Sequence, residues 1–303
     1  MTANRMPAAK HHFTDGLFHV FNYAGNILLT ILCTYPFYYI LLVSISDANA
    51  VSRGEVVLWP SHANLTYYKQ VFALKGLYNS LLVSVSRSVL GTLITLFFTT
   101  MIAYVLTKKQ FKWRKAFYWL IVFTMYVNAG LIPYVLSMTA LGLKNSFFLY
   151  ILPGAVSAFG MVLIKTYIEQ LPPEVEESAV VDGAGYFTIL IKIIVPVSMP
   201  VIAAVAVFSA VGQWNTFQDN FFLVQDKNLM TIQLMLWNFL QQAESLARQV
   251  QTSNRFSLEQ LTPPSPFTLK CAISVLTMIP VMIVYPLLQK YFVKGIMLGA
   301  VKG

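Results

Sequence analysis

Charged residues are scarce in this sequence. Only 11% of its 303 residues are Asp, Glu, Lys or Arg, whereas a soluble domain usually contains about 25%. Acids are fewer than bases, 12 against 21, which gives a formal net charge of +9. This shortage of charge excludes an ordinary soluble domain, and the 57% hydrophobic content indicates a membrane protein.

Cysteine and histidine are also few, and this limits the possible chemistry. Cys33 and Cys271 each lie within an apolar run, so neither a disulfide framework nor a metal-ligand pair is expected. The four histidines lie outside the long apolar stretches and lack the spacing of metal ligands. No nucleophile is paired with a base. We therefore expect a chain that is not an enzyme, with no catalytic residue, metal or cofactor of its own.

Long apolar stretches, in contrast, are abundant. A transmembrane helix needs about 20 mostly apolar residues. The stretches that qualify are 25–46, 80–107, 117–139, 147–168, 196–215 and 268–288. They predict an all-α membrane protein with six transmembrane helices between residues 25 and 290. The chain start lacks a signal-peptide pattern, so we expect residues 1–24 to be a cytoplasmic tail, and residues 291–303 to be another.

Basic residues lie at the edges of the apolar stretches, which indicates membrane topology and lipid headgroups, and no nucleic acid. The clearest case is the short loop "TKKQFKWRK", which has five basic residues and no acid. Short loops rich in Lys and Arg stay in the cytoplasm. This orientation puts both termini and the loop 169–195 on the cytoplasmic side.

The loop 169–195 contains most of the segment "PPEVEESAVVDGAGYFTILIKIIVPVSMP", which spans residues 172–200. Its two prolines suit a helix start, and its three glutamates then complement the positive end of the helix dipole. Small residues along one side would allow close approach to another backbone. The segment predicts a short docking helix. The alternatives are a solvated loop whose acids only cap a helix, and acid/base chemistry, which lacks a His, Ser or Cys partner.

This segment resembles the cytoplasmic signature of the permease subunits of binding-protein-dependent ABC importers, in particular the maltose-type carbohydrate permeases. The signature is E-A-A, three residues, G, nine residues, I, one residue, then Leu-Pro. The matching positions are Glu177-Ser178-Ala179, Gly183, Ile193 and Val195-Pro196, with Ser and Val as conservative departures. The segments "NLTYYKQVF" and "GQWNTF" are also similar to this family, and the tail "YPLLQKYFVKGIMLGAVKG" is similar to its subgroup for complex saccharides.

The resemblance implies a type I ABC importer permease fold in the bacterial cytoplasmic (inner) membrane. It also implies the partners: a second permease subunit in a heterodimer, two ATPase subunits that bind ATP and Mg, an extracytoplasmic solute-binding protein, and a saccharide. The signature loop would dock on the ATPase. The residues implied in this coupling are Glu177, Ser178, Ala179, Asp182, Gly183, Ile193 and Pro196.

Polar residues within the apolar stretches are candidates for the substrate pathway, because polar groups in a membrane tend to face the bundle interior. Arg87 could pair with an acidic, alginate-like saccharide, or it could be a structural partner for a nearby group. Asn128, Gln213, Trp214 and Asn215 could bind sugar by hydrogen bonds and ring stacking. For Trp214 the interfacial aromatic belt is the alternative.

A second class of function remains open, a secondary transporter or channel for a small polar solute. Such proteins often use intramembrane acids as ion sites, and these stretches contain essentially none. A membrane-embedded enzyme would need reactive groups that the chain lacks. We therefore expect the membrane-spanning subunit of an ATP-driven importer.

Overall fold

The computed structural model describes residues 11–252 and 266–300, and within these ranges the protein is helical without β-strands. In chain order the α-helices are α1 (His11–Ser44), α2 (Ala48–Ser52), α3 (Thr66–Phe72), α4 (Leu77–Thr107), α5 (Arg114–Tyr126), α6 (Leu131–Ala140), α7 (Ala158–Glu169), α8 (Glu174–Val181), α9 (Tyr186–Ile189), α10 (Val195–Val197), α11 (Met199–Asn215), α12 (Gln218–Leu223), α13 (Ile232–Thr252) and α14 (Pro266–Ala300). Residues 147–150 and 227–229 form 3₁₀ turns, and residues 190–194 form a π-helical turn.

The described residues divide into two compact units. The first contains residues 11–71 and 266–275. Its small core includes Val43, Val56 and Cys271. The segment after α1 folds back on itself, because the amide of Asn64 donates to the carbonyl of Ile45 at 2.8 Å.

The second unit contains residues 72–252 and 276–300, and α4 is its central element. This helix packs against α5, α7, α11 and α13. One buried cluster surrounds the end of α4 near Tyr104 and includes Met161 and Ile189. A second cluster surrounds the other end near Val83 and includes Leu149 and Leu223. A single uninterrupted helix thus connects the two buried clusters.

Three helical segments are long and apolar enough to cross a membrane: Phe18–Ser44, Leu77–Thr107 and Phe267–Val284. They overlap the first, second and sixth predicted stretches. The fifth stretch falls in a bent pair, Tyr186–Val197 and Met199–Asn215, whose axes differ by 84°. Counting this pair as one span gives four candidates among the described residues.

The third and fourth predicted stretches are not continuous helices. Stretch 117–139 is divided between α5 and α6 by residues 127–130, where Asn128 Oδ1 accepts a hydrogen bond from the amide of Gly130 at 2.9 Å and Gly130 has φ 83°. Stretch 147–168 contains a 3₁₀ turn and then α7, with Pro153 and Gly154 between them. Proline disfavours helix at the residue before it, and glycine tolerates the turn.

Candidate functional site

A cavity of about 430 Å³ opens in the second unit beside α4, between α7, α11 and α12. Its wall combines apolar groups with hydroxyl, amide and aromatic groups. The polar wall residues besides the charged pair described next include Thr95, Tyr134, Ser157, Ser209, Gln213 and Thr216. The polar groups of such a wall can donate and accept hydrogen bonds with a ligand, while its aromatic rings can pack against the uncharged parts of that ligand.

Arg87 lies in this wall and forms a buried ion pair with Asp219. Its Nη2 donates to Asp219 Oδ2 at 2.6 Å, and its Nη1 donates to Asp219 Oδ1 at 3.1 Å. The two side chains are only 4% and 9% exposed. The guanidinium carbon also lies 4.7 Å from the centre of the Tyr150 ring. Bidentate geometry and neutralisation explain why the charge is tolerated at this depth.

Gln213 completes the environment of Arg87. Its Oε1 accepts a hydrogen bond from Arg87 Nε at 3.0 Å. A Cβ added at Gly91 would lie 2.8 Å from Gln213 Nε2, and one added at Gly154 would lie 3.2 Å from the same atom. The two glycines therefore leave the space that the Gln213 amide occupies.

The other pathway candidates lie away from the cavity wall. Asn128 is exposed in the break between α5 and α6. Trp214 is 5% exposed, and its Nε1 donates to the carbonyl of Thr277 at 3.0 Å, so it packs inside the bundle and contributes neither to a belt nor to this wall. Asn215 is exposed, and its side chain accepts a hydrogen bond from Gln233.

Sequence reasoning missed the residues that hold Arg87, chiefly Asp219. This acid lies in "NTFQDN", directly after the fifth apolar stretch, and an acid at that position was the available signal. A polar network continues from it: Asn220 Oδ1 accepts a hydrogen bond from the amide of Thr231 at 2.9 Å, and Ser84 Oγ accepts one from the amide of Ile232 at 2.8 Å. These contacts tie residues 218–232 to α4.

The short helix that the sequence predicts in this segment is present as α8. Its first turn contains Glu174, Glu176 and Glu177, as the sequence indicated. The helix ends at Val181, Asp182 caps it, and Gly183 follows with φ 79°. This backbone conformation favours glycine over residues with a Cβ.

The small residues of α8 were expected to form a side open to close approach by another backbone, and the structure places them differently. Ala179 is 7% exposed and packs in the cluster around Tyr104, so this small residue contacts its own chain. A Cβ added at Gly183 would have no atom of the described residues within 4 Å. Glu177, Ser178 and Asp182 are exposed, and so is the next set of apolar side chains: Val180 at 50%, Val181 at 86%, Tyr186 at 53% and Phe187 at 62%.

Within residues 11–252 and 266–300, Glu176 is the acid of α8 whose side chain forms an ion pair. It pairs with Lys108, the residue that follows α4, and accepts a hydrogen bond from the Tyr104 hydroxyl at 3.1 Å. Burial lowers the pKa of the Lys108 ammonium below its ordinary value, while Glu176 acts in the opposite direction. The sequence had indicated a helix-dipole role for Glu176 but not its pairing with Lys108.

The link from α8 to α11 contains the end of the signature, with Ile193 and Pro196. Ile193 lies half-buried in the π-helical turn, and Pro196 lies exposed just before the bend. Across the bend, the amide of Ser198 donates to the carbonyl of Ile194 at 2.8 Å, and the amide of Ile202 donates to the carbonyl of Ser198 at 3.0 Å. Backbone hydrogen bonds therefore lie on both sides of the 84° change of direction.

Comparison with known proteins identifies the family. The family described as "Binding-protein-dependent transport system inner membrane component" matches residues 91–298. The chain belongs to this family. The match contains α8 and most of the cavity wall, and the chain is hereafter called the permease.

Several relatives of the permease have been described. It is 33% identical over 287 residues to the "Polygalacturonan/rhamnogalacturonan transport system permease protein YtcP" of Bacillus subtilis (strain 168). This alignment covers 95% of this chain and 99% of that protein. It is 34% identical over 268 residues to "Protein LplC" of the same organism, covering 88% and 89% of the two chains.

A solved structure shares the fold over most of this chain. It is a chain from a bacterial ABC transporter involved in the import of the acidic polysaccharide alginate, with a TM-score of 0.80 and 32% identity. The match covers 95% of the permease and 100% of that chain. The permease therefore has the fold of an ABC importer permease, all-helical in its described parts.

Proposed function

We propose that this permease forms half of the translocation pathway of an ATP-driven importer for a saccharide, and that the saccharide is acidic. The observation that carries the proposal is the similarity over 95% of the chain to the alginate importer structure, at a TM-score of 0.80. The relative named for polygalacturonan and rhamnogalacturonan supports a saccharide as the cargo. The host membrane in this proposal is the bacterial inner membrane.

The proposed topology has six crossings with both termini in the cytoplasm. The third crossing would consist of α5 with α6, and the fourth would consist of residues 147–169. Two features support the orientation. The basic loop "TKKQFKWRK" starts at the end of α4, and the ion pair of Lys108 with Glu176 puts α8 at the same end. By the positive-inside rule, this end faces the cytoplasm.

In this proposal α8 is the coupling helix, and it docks on a separate ATPase subunit that binds ATP and Mg²⁺. The exposed groups available for docking are Glu177, Ser178, Val181 and Asp182. Val181 is 86% exposed at the end of the helix, and burial of such an apolar side chain favours association by about 1.5–3 kcal/mol. Ala179 would act indirectly, since it anchors α8 to the permease core.

The cavity beside α4 is the proposed pathway for the saccharide in this half of the transporter. Asp219 neutralises Arg87, so the wall offers sugar hydroxyls a set of neutral polar groups, with Gln213, Tyr134 and Ser157 among them. Arg87 has a structural role, because its hydrogen bonds connect α4 to Gln213 and Asp219 in the same wall. The second permease subunit would supply the other half of the pathway.

The proposal is tested with the permease reconstituted in proteoliposomes with its second permease, the ATPase subunits and the solute-binding protein. ATP hydrolysis is measured with the binding protein loaded with acidic or neutral oligosaccharides. We expect loaded binding protein to stimulate hydrolysis, and acidic oligosaccharides to stimulate it most. Equal stimulation by neutral sugars would contradict the acidic cargo, and no stimulation by any saccharide would contradict the proposed function.

A further inference from the structure

A three-residue contact fastens α8 to the end of α4. Lys108 pairs with both carboxylate oxygens of Glu176, and its ammonium lies 3.7 Å above the centre of the Tyr104 ring. The Tyr104 hydroxyl donates to Glu176 Oε1 at 3.1 Å. The side chains of Lys108 and Glu176 are 15% and 25% exposed. We refer to Tyr104, Lys108 and Glu176 as the α4–α8 clamp.

We propose that the α4–α8 clamp transmits movement of α8 to α4, so that these three residues position the docking helix against the helix that lines the cavity. The proposal rests on the proposed function, because it takes α8 as the element that an ATPase moves. It assigns a role to Glu176 that differs from docking, since this carboxylate faces its own chain.

The shape of α4 makes this route direct. The helix runs without a break from Leu77 to Thr107, and Arg87 and Thr95 on the same helix lie in the cavity wall. The distance along α4 from Arg87 to Tyr104 is about 25 Å at a rise of about 1.5 Å per residue. A displacement of the clamp therefore reaches the cavity through one rigid element.

The covalent route from α8 is less direct. It passes through the π-helical turn at residues 190–194 and then through the 84° bend before α11. A movement that follows the chain must change direction there. The clamp instead connects α8 to α4 side by side, with Ala179 packed in the same cluster as Tyr104.

The chemistry of the clamp favours a firm connection. A partly buried ammonium between a carboxylate and a ring face gains both an ion pair and a cation–π contact. Loss of either charged partner leaves the other charge poorly solvated. The clamp residues therefore hold one another in place, and the connection depends on the opposite charges of residues 108 and 176.

A charge exchange tests this dependence in the complete transporter in proteoliposomes. The variants are Lys108→Glu, Glu176→Lys and the double exchange, and Tyr104→Phe removes only the hydroxyl. The matched control is Glu169→Lys, because the Glu169 carboxylate pairs with Lys165 four residues earlier on its own helix, and only the Lys165 ammonium of this pair contacts a second helix, at the Tyr118 ring of α5. Readouts are saccharide uptake, ATP hydrolysis with loaded binding protein, and the amount of ATPase that copurifies.

We expect each single charge reversal to lower uptake by about five- to tenfold. Coupling between two sites typically changes an affinity by a factor of this order or more. Copurification of the ATPase should remain, while uptake per ATP hydrolysed falls. The double exchange should recover most of the uptake, Tyr104→Phe should cause a smaller loss, and Glu169→Lys should leave uptake unchanged. Single reversals that leave uptake unchanged, or a double exchange no better than the singles, would overturn the clamp.

A further variant, Val181→Glu, separates this proposal from the proposed function. It changes the exposed face of α8 and leaves the clamp intact. Loss of ATPase copurification in Val181→Glu supports α8 as the docking helix on which the clamp proposal depends. If Val181→Glu retains full copurification and uptake, docking through α8 fails, and the clamp proposal fails with it. Failure of the charge exchange alone leaves docking standing.

Discussion

Replacement of Asp219 by Asn should destabilise the permease strongly, because Arg87 would keep its charge in a buried site. The two side chains are 4% and 9% exposed, and they share hydrogen bonds of 2.6 and 3.1 Å. Loss of one partner from such a pair costs about 3–5 kcal/mol. The hydrogen bonds of Arg87 to Gln213 and to the carbonyl of Thr216 remain available. We therefore expect a cost near the lower end, about 3 kcal/mol.

A double-mutant cycle isolates the contribution of this pair. The variants are Asp219→Asn, Arg87→Gln and the combination, and thermal unfolding of the detergent-solubilised transporter is the assay. Each single variant should melt clearly below the wild type. The combination should melt well above the value expected from adding the two losses, since neither charge is then left alone. Additive losses, or single variants that melt like the wild type, would refute the structural role of Arg87.

Three further predictions concern the cavity and α8. Gly91→Ala should displace the Gln213 amide, since its Cβ would lie 2.8 Å from Nε2, and should lower uptake; Gly25→Ala in α1, whose Cβ meets no described atom within 4 Å, should not. Gly183→Val should lower stimulated ATP hydrolysis without preventing membrane insertion, because φ 79° costs a residue with a Cβ about 1–2 kcal/mol; hydrolysis equal to wild type would contradict this. Arg87→Gln should reduce uptake of acidic and neutral oligosaccharides equally, and a selective loss of acidic uptake would show that Arg87 meets the ligand.

The helix α8 could be located from the sequence because the pattern that predicts it is local. The signature spans one contiguous segment, and helix-start chemistry acts within a turn or two. The observed α8 begins at Glu174 and ends at Val181, within the segment that the sequence singled out. The burial of Ala179 could not be read locally, because it depends on how α8 packs against α4 and α7.

The pairing of Arg87 with Asp219 could not be predicted from the sequence. The sequence marked Arg87 as an unusual charge in an apolar stretch, and left ligand contact and structural pairing both open. Its partner Asp219 lies 132 residues away, and nothing in the local pattern connects the two. Trp214 presents the same difficulty, because its hydrogen-bond acceptor lies in α14.

Hydropathy also concealed two interruptions. An average over about 20 residues stays high across "NAG" at residues 128–130 and across "LPG" at residues 152–154, because their neighbours are strongly apolar. The backbone nevertheless leaves the helix at both places. Turn chemistry at Gly and Pro, taken residue by residue, would have divided these stretches.

In the proposed function, ATP hydrolysis by partner subunits powers saccharide import through this permease. The most direct measurement is uptake of a labelled acidic oligosaccharide into proteoliposomes that contain the full transporter and loaded binding protein, with ATP or a non-hydrolysable analogue inside, and with or without an imposed ion gradient. We expect uptake only with ATP and the ATPase subunits present, whatever the gradient. Uptake driven by an ion gradient without ATP would contradict the account and favour a secondary transporter.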